Sequence, residues 1–343
     1  MTHDIKVCPG TLSEGFSTYS PGCLRRLFMG RKVNHILSYD TPAHDENVAR
    51  EFMDNRKRIS ISGVQEKLSF LLEKNELRLT RRGEQGTYIL KPIPRDVRYT
   101  DQVPANEHLT MQIARQVFGI NTAENAMIFF KDGTPAYITK RFDMIEEGQK
   151  WGKEDFASLA GKSSDNAGPN FKYDYSYEEI GILIQKFVPA WRIEIEKFYT
   201  LVLFNYLLSN GDAHLKNFAL LESISGDFLL SPAYDLINTR IHVDDPDSYR
   251  DDFALYKGLF SDGFESETKK KKGHAAIADF LEFGKRIGIN ESRIKKLSAP
   301  FLEKQPLIET LTRNSFLNEK SKRAYLFHYN TRLNWLPECL PNH

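Results

Sequence analysis

The stretch Leu208–Asn217 reads L-S-N-G-D-A-H-L-K-N, and its sequel S-P-A-Y-D-L follows at Ser231–Leu236. Asn217 stands five positions after Asp212, and Asp235 comes after a further short apolar run. Phosphoryl transfer asks for this set in this order. One carboxylate takes or orients the proton of an attacking hydroxyl, and an Asn and a second Asp hold Mg²⁺ against the nucleotide phosphates. His214 and Lys216 lie between them, placed to steady the loop or the γ-phosphate. A polar turn between a buried helix and a hairpin has a similar composition, and D-x-H alone is common. The added Asn217 and the later Y-D-L favour the catalytic reading.

Working outward, Glu194–Ser209 is apolar on nearly every face, which predicts a core helix delivering Asn210–Asn217 to its site. Phe228–Leu230 is expected as a short strand ahead of Asp235. Segments around Ala275–Ile287, Glu291–Leu297 and Lys320–Leu333 read as surface helices. Residues 154–179 carry Gly161, Ser163, Ser164, Gly168 and Pro169 with little periodicity, and are expected to form a mobile loop.

Toward the N-terminus, Asn125–Phe130 and Ala136–Phe142 form a predicted strand pair joined by the Asp132–Gly133 turn. The second strand runs into a hinge, where backbone around Lys140–Phe142 would meet adenine and Asp143 would take the ribose hydroxyls. Pro104–Phe118 is a predicted helix with an apolar stripe of Leu109, Ile113, Ala114 and Val117, closed by Gly119. Gly86–Pro92 is a short strand ending at Lys91, where a kinase presents an ammonium to the α- and β-phosphates. An edge-strand lysine in solvent is the alternative. Glu107 in the helix's first turn either reaches back to Lys91 or sits there for the helix dipole alone.

In Arg58–Leu72, Ile59 and Ile61 bracket Ser60 and Ser62, a glycine opens a loop, and Leu68–Leu72 reads as a strand. Gly63 lets backbone N–H groups approach a phosphate without a Cβ clash, and Lys67 adds charge, although ordinary hairpins also use glycine. Residues 1–45 are short and irregular around a basic amphipathic piece, Leu24–Arg31, and read as a strap on a larger body.

The chain's 343 residues suffice for two lobes, and 41% hydrophobic with 27% charged residues describes an ordinary globular protein. A net charge of +1 provides no global basic field for nucleic acid or membrane, and Lys269–Lys272 reads as a solvated loop. No apolar run reaches the ~18 residues of a membrane span, and the opening M-T-H-D-I-K lacks a signal-peptide core, so a cytoplasmic location is expected. Cys8, Cys23 and Cys339 are too few and scattered for a disulfide framework. Cys8, Cys23 and His3 fall short of the four ligands of a structural zinc site.

Taken together, S-I-S-G-V-Q-E-K-L, I-L-K-P, N-E-H, I-T-K-R-F-D, D-A-H-L-K-N-F and S-P-A-Y-D-L resemble the HipA family of serine/threonine kinase toxins, in the family's order over roughly residues 58–240. The short start is similar to the HipT type of tripartite systems, in which a separate small HipS-like protein supplies an N-terminal subdomain. The resemblance implies an α+β, two-lobed protein-kinase-like fold. Its parts are a strap over 1–45, a small antiparallel-sheet N-lobe over 46–141 and a mostly helical C-lobe over 142–343, with ATP and Mg²⁺ bound between the lobes.

The resemblance makes Asp212 the catalytic base, Asn217 and Asp235 the metal ligands, and Lys91 the nucleotide-phosphate lysine. Gly63, Val64, Gln65, Glu66 and Lys67 become the phosphate loop, Lys140 and Phe142 the adenine hinge, and His214 and Lys216 further nucleotide-site residues. Ser60 and Ser62 match autophosphorylation positions, where a phosphate would repel those of ATP. The implied substrate is an aminoacyl-tRNA synthetase, glutamyl or tryptophanyl. The implied antitoxin is a HipB-like DNA-binding protein, so that DNA contact is indirect. Two rival readings are a small-molecule kinase of the aminoglycoside or phosphatidylinositol type, and a silent kinase fold that scaffolds an antitoxin–operator complex.

Overall fold

The structure, a computed structural model, describes residues 5–41, 66–94, 97–145, 149–243 and 253–337. The expected positions Ser60, Ser62, Gly63, Val64 and Gln65 lie outside the described residues. The chain divides into two compact units, residues 1–113 with 123–149 and 308–322, and residues 114–122 with 150–307 and 323–343.

The first unit is built on a five-stranded antiparallel sheet. Helix α1 (Pro21–Phe28) precedes strands β1 (Leu68–Glu73), β2 (Glu76–Leu79) and β3 (Tyr88–Lys91). Helix α2 (Val103–Gln116) and strands β4 (Asn125–Phe129) and β5 (Pro135–Lys140) follow, giving the order β2-β1-β3-β5-β4. Because side chains alternate along a strand, Phe70, Tyr88, Leu90, Ala126, Ile128, Ala136 and Ile138 share one face. Cys8, Tyr19, Cys23, Leu27, Phe28, Val33 and Leu37 pack into the same core. The opposite parity carries Lys91, whose register partner is Tyr137, and this parity meets α2 through Glu107 and Gln112.

The N-terminal segment also covers an edge. Strand β4 ends the sheet, and unpaired edge strands invite foreign pairing. Here Met127 N donates to Pro9 O at 2.8 Å and Phe129 N to His35 O at 2.8 Å, while Leu37 N donates to Phe129 O at 2.8 Å. Late in the chain, residues 308–322 return to this unit. Asn314 donates to the Leu12 carbonyl at 3.1 Å, and Asn318 N donates to Gln102 Oε1 at 2.7 Å.

Inside the same unit, His108 is fully buried, and its ring nitrogens have no side-chain or backbone hydrogen bond of ordinary geometry among the described residues. Burial pushes its pKa down to about 4, which the backbone of Gly10 offsets only in part. The folded state therefore keeps the ring neutral, whereas the unfolded chain takes up a proton near the ordinary value of about 6.5. Stability should fall as pH drops through the window from about 6.5 to about 4, by a total of roughly 3 kcal/mol from this residue. Between about pH 6.5 and about pH 4 the unfolding temperature of the wild type should fall more steeply than that of His108→Leu. Parallel pH profiles would show that the ring does not titrate in this way.

The second unit surrounds one helix. Strand β6 (Lys153–Asp155) and helices α3 (Phe156–Leu159), α4 (Ser164–Ala167), α5 (Tyr177–Phe187) and α6 (Trp191–Leu207) come first. Strands β7 (Ala219–Glu222) and β8 (Phe228–Leu230) follow and pair in the order β6-β7-β8. Helices α7 (Glu267–Lys272), α8 (Ile277–Arg286) and α9 (Glu291–Ser298) follow, whereas most of α10 (Pro306–Asn314) and the first turn of α11 (Glu319–Trp335) belong to the segment 308–322 of the first unit. As its all-round apolarity predicts, α6 is a core helix. Phe198 lies 5.5 Å from Phe218 and 6.3 Å from Phe283, ring to ring, and Tyr206 lies 5.2 Å from Phe280.

Two expectations are corrected here. Residues 154–179, expected as a loop, hold two short helices, because Asp155 and Ser163 cap α3 and α4, with the Ser158 N–H donating to Asp155 Oδ1 at 2.9 Å. One-turn helices stabilised by such side-chain bonds carry no apolar periodicity to read. Lys269–Lys272 is helical rather than a loop. Ser266 accepts from the Lys269 N–H at 3.1 Å to open α7, and the lysines fall in its last turn, where the helix dipole favours cations.

Candidate active site

Each unit presents its own group of expected functional residues. In the first, β3 ends at Lys91 and α2 brings Glu107 over it, so that Nζ lies 2.6 Å from Glu107 Oε1. Both side chains are almost fully buried, at 3% and 4% exposed, which rules out the alternative of an edge lysine in solvent. The ammonium also lies 5.3 Å from the centroid of the Tyr137 ring. A charged pair this dry is costly to build and strongly destabilising to break.

The expected hinge lies at the end of β5. The Lys140 N–H donates to Glu124 O at 2.8 Å and the Arg141 N–H to Thr87 O at 2.9 Å, so neither N–H is directed at a purine. Asp143 makes a two-point pair with Arg141, at 3.0 Å through Oδ1 and 2.6 Å through Oδ2, and a ribose hydroxyl would share those oxygens. Glu66 and Lys67 stand immediately ahead of β1.

In the second unit, the loop after α6 is pinned at almost every residue. Asn210 N donates to Asn205 O at 2.8 Å, and Gly211 N donates to Thr239 Oγ1 at 2.9 Å. The Thr239 hydroxyl donates in turn to Ser209 O at 3.0 Å. His214 N donates to Asp212 O at 2.8 Å, Tyr177 Oη to Ala213 O at 2.9 Å, and Tyr234 Oη to Lys216 O at 2.8 Å. A short 3₁₀ turn, Leu215–Asn217, carries Asn217 to the start of β7. Asp235 has φ = 55°, a left-handed conformation that Asp tolerates better than most side chains. Its chain is fixed nearby by the Ala233 N–H donating to Asn121 O at 2.8 Å.

The loop's electrostatics separate its two titratable members. Asp212 has a half-exposed side chain, and its Oδ1 accepts a hydrogen bond from the Tyr173 hydroxyl at 3.0 Å. His214 Nε2 is 3.8 Å from the same oxygen, yet burial holds this imidazole down to about 4, against the pull of Asp212 and Asp235. His214 is therefore neutral at physiological pH and supports the loop as a packed ring, 5.2 Å from Tyr173. Tyr173, Tyr234, Thr239 and Asn205 were missed in sequence. Tyr173, Tyr234 and Thr239 reach the loop from 18 or more residues away in the chain, and Asn205, only five residues before Asn210, is hidden in the apolar run of α6.

Among the described residues no three His, Cys, Asp or Glu side chains gather closely enough to bind a metal by themselves. The donor set of Asn217 and Asp235 is nonetheless suited to Mg²⁺. That ion is held in nucleotide sites by one or two carboxylates and completed by phosphate oxygens and water. No helix among the described residues is long and apolar enough to cross a membrane.

Residues 59–306 match the family described as HipA-like C-terminal domain. A "Putative kinase" of Haemophilus influenzae is 26% identical over 345 residues, covering 96% of this chain and 95% of that protein. A "Putative kinase" of Sinorhizobium fredii is 32% identical over 237 residues, covering 64% of this chain and 54% of that one. Among solved structures, a chain from the Shewanella oneidensis complex of HipA, HipB and operator DNA superposes with a TM-score of 0.59 at 21% identity. That superposition covers 80% of this chain and 63% of the other. The Helicobacter pylori kinase CtkA gives a TM-score of 0.51 at 16% identity over 80% of this chain and 90% of its own. The structural likenesses establish a HipA-like, kinase-like α+β fold, and the family implies ATP with a divalent metal. With its family match spanning most of the sequence, the chain belongs to the HipA-like kinase family.

Proposed function

We propose that this protein is a serine/threonine protein kinase toxin of the HipT type, which moves the γ-phosphoryl of ATP to a serine of an aminoacyl-tRNA synthetase, tryptophanyl or glutamyl. The observation that carries the protein-kinase reading is the buried Lys91–Glu107 pair at 2.6 Å. Protein kinases need a strand lysine held by a helix glutamate to present its ammonium to the nucleotide phosphates. Asp212 then accepts the acceptor hydroxyl's proton as the oxygen attacks. The pinned loop holds that carboxylate in place, so no reorganisation is needed at the moment of reaction. Asn217 and Asp235 hold the metal, which when bound neutralises charge on the phosphates. By the resemblance, Gly63, Val64, Gln65, Glu66 and Lys67 are the phosphate-loop residues, Lys140, Phe142 and Asp143 the nucleoside residues, and His214 and Lys216 further nucleotide residues. Phosphorylation of Ser60 or Ser62 would damp activity by setting a dianion where ATP phosphates must bind. A HipB-like antitoxin and a small HipS-like protein are the proposed partners, and DNA is reached through the antitoxin.

The test is transfer from Mg²⁺–ATP to purified tryptophanyl- and glutamyl-tRNA synthetases, with Asp212→Asn as the blank. Phosphoserine on one synthetase with loss of aminoacylation is the expected result. Brisk ATP turnover that leaves every protein acceptor unmodified but phosphorylates an amino sugar would replace this reading with the small-molecule kinase.

A further inference from the structure

We propose that Tyr173 is a self-phosphorylation site, its phenol serving as an intramolecular acceptor for the transfer that Asp212 supports. This rests on the kinase reading above. A general base must lie within about 2.6–3.2 Å of the oxygen whose proton it takes. The Tyr173 hydroxyl donates to Asp212 Oδ1 at 3.0 Å.

Lys172 O accepts from the Leu215 N–H of the catalytic loop at 3.1 Å, and Tyr173 O accepts from the Tyr256 N–H at 2.9 Å. The backbone on both sides of the phenol is thereby tied down, one bond leading to the loop that carries Asp212. The ring is held edge-on to His214 at 5.2 Å and tilted against Tyr256 at 5.8 Å. Burial and the neighbouring Asp212 raise the phenol's pKa above its ordinary value, so it stays protonated at neutral pH. It needs a base to become a nucleophile, and the base is already in contact.

In the step itself, a lone pair of Tyr173 Oη attacks the γ-phosphorus of ATP. The bond from that phosphorus to the β,γ-bridging oxygen breaks, ADP leaves with its electron pair, and the phenolic proton passes to Asp212. The product carries about −1.5 to −2 charges at neutral pH. A dianion cannot remain beside a carboxylate that its parent hydroxyl had approached to 3.0 Å, so the modified side chain is expelled. A cation stands nearby to receive it: Lys172 Nζ is 4.9 Å from the Tyr173 ring centroid. Modification of Tyr173 therefore frees Asp212 for a hydroxyl from another protein.

The experiment incubates phosphatase-treated full-length protein with Mg²⁺–ATP at several protein concentrations, for wild type, Tyr173→Phe and Asp212→Asn. Phosphopeptides are then mapped by fragmentation. Phosphate on Tyr173 in wild type, at a first-order rate independent of protein concentration and absent in both variants, is the expected result. Phosphate confined to serines, a Tyr173 rate that scales with protein concentration, or Tyr173 unmodified while a synthetase is phosphorylated would each overturn the proposal and leave the kinase reading standing. No phosphate on the chain and none on any acceptor would overturn both.

Discussion

Asp212→Asn lowers phosphoryl transfer by about two to four orders of magnitude, the range general-base catalysis contributes, while nucleotide affinity stays close to wild type. Asn keeps an oxygen to accept from the Tyr173 hydroxyl, and the loop is held by backbone bonds at Asn210, Gly211 and His214 that the substitution does not touch. The side chain is 51% exposed, so no buried charge is stranded and the fold has no reason to change. What Asn lacks is a group that can take a proton. Single-turnover transfer from ATP, set beside a nucleotide titration, separates the two effects. An unchanged rate would remove Asp212 from the role of base, and a parallel collapse of affinity would reassign it to nucleotide binding.

Glu107→Ala carries the largest expected cost to stability. Lys91 and Glu107 are 3% and 4% exposed and 2.6 Å apart, so removal of the carboxylate strips a buried ammonium of its counter-ion. Breaking such a pair costs about 3–5 kcal/mol, because the remaining charge stays desolvated in a low-dielectric site. Replacing both members together, as Lys91→Met with Glu107→Leu, should cost well under the sum of the single losses, since no charge is then left behind. Urea unfolding of the two singles and the double measures that coupling. Strict additivity would mean that the pair does not interact in solution. The double variant should fold yet lose nucleotide binding, which would separate the pair's proposed role in nucleotide binding from its place in the core.

The pair also marks how far sequence could be read. Lys91 was placed at a strand end and Glu107 in a first helical turn, because local apolar patterns identify both elements. Whether the two side chains meet depends on how α2 lies across the sheet. Individual elements followed from equally local signals, all-round apolarity in Glu194–Ser209 and the Asp132–Gly133 turn between two strands, whereas the fold class came from the resemblance of the motifs. Where the signal was capping rather than periodicity, as in α3, α4 and α7, the reading failed, because side-chain bonds to one turn of backbone leave no repeat.

By itself, the sequence determined the core helix ahead of Asp212 and the strand pair around Asp132–Gly133, which propensity and periodicity encode, while the kinase-like α+β class was legible through the family motifs it carries. The tertiary structure alone decided what surrounds those groups. It buried Lys91 against Glu107, brought Thr239 and Tyr234 back to pin the loop, returned residues 308–322 to the first unit, and set the Tyr173 phenol on Asp212. Each of these contacts joins residues well separated in the chain. Their formation depends on packing the units' cores, a condition that no short stretch of sequence contains.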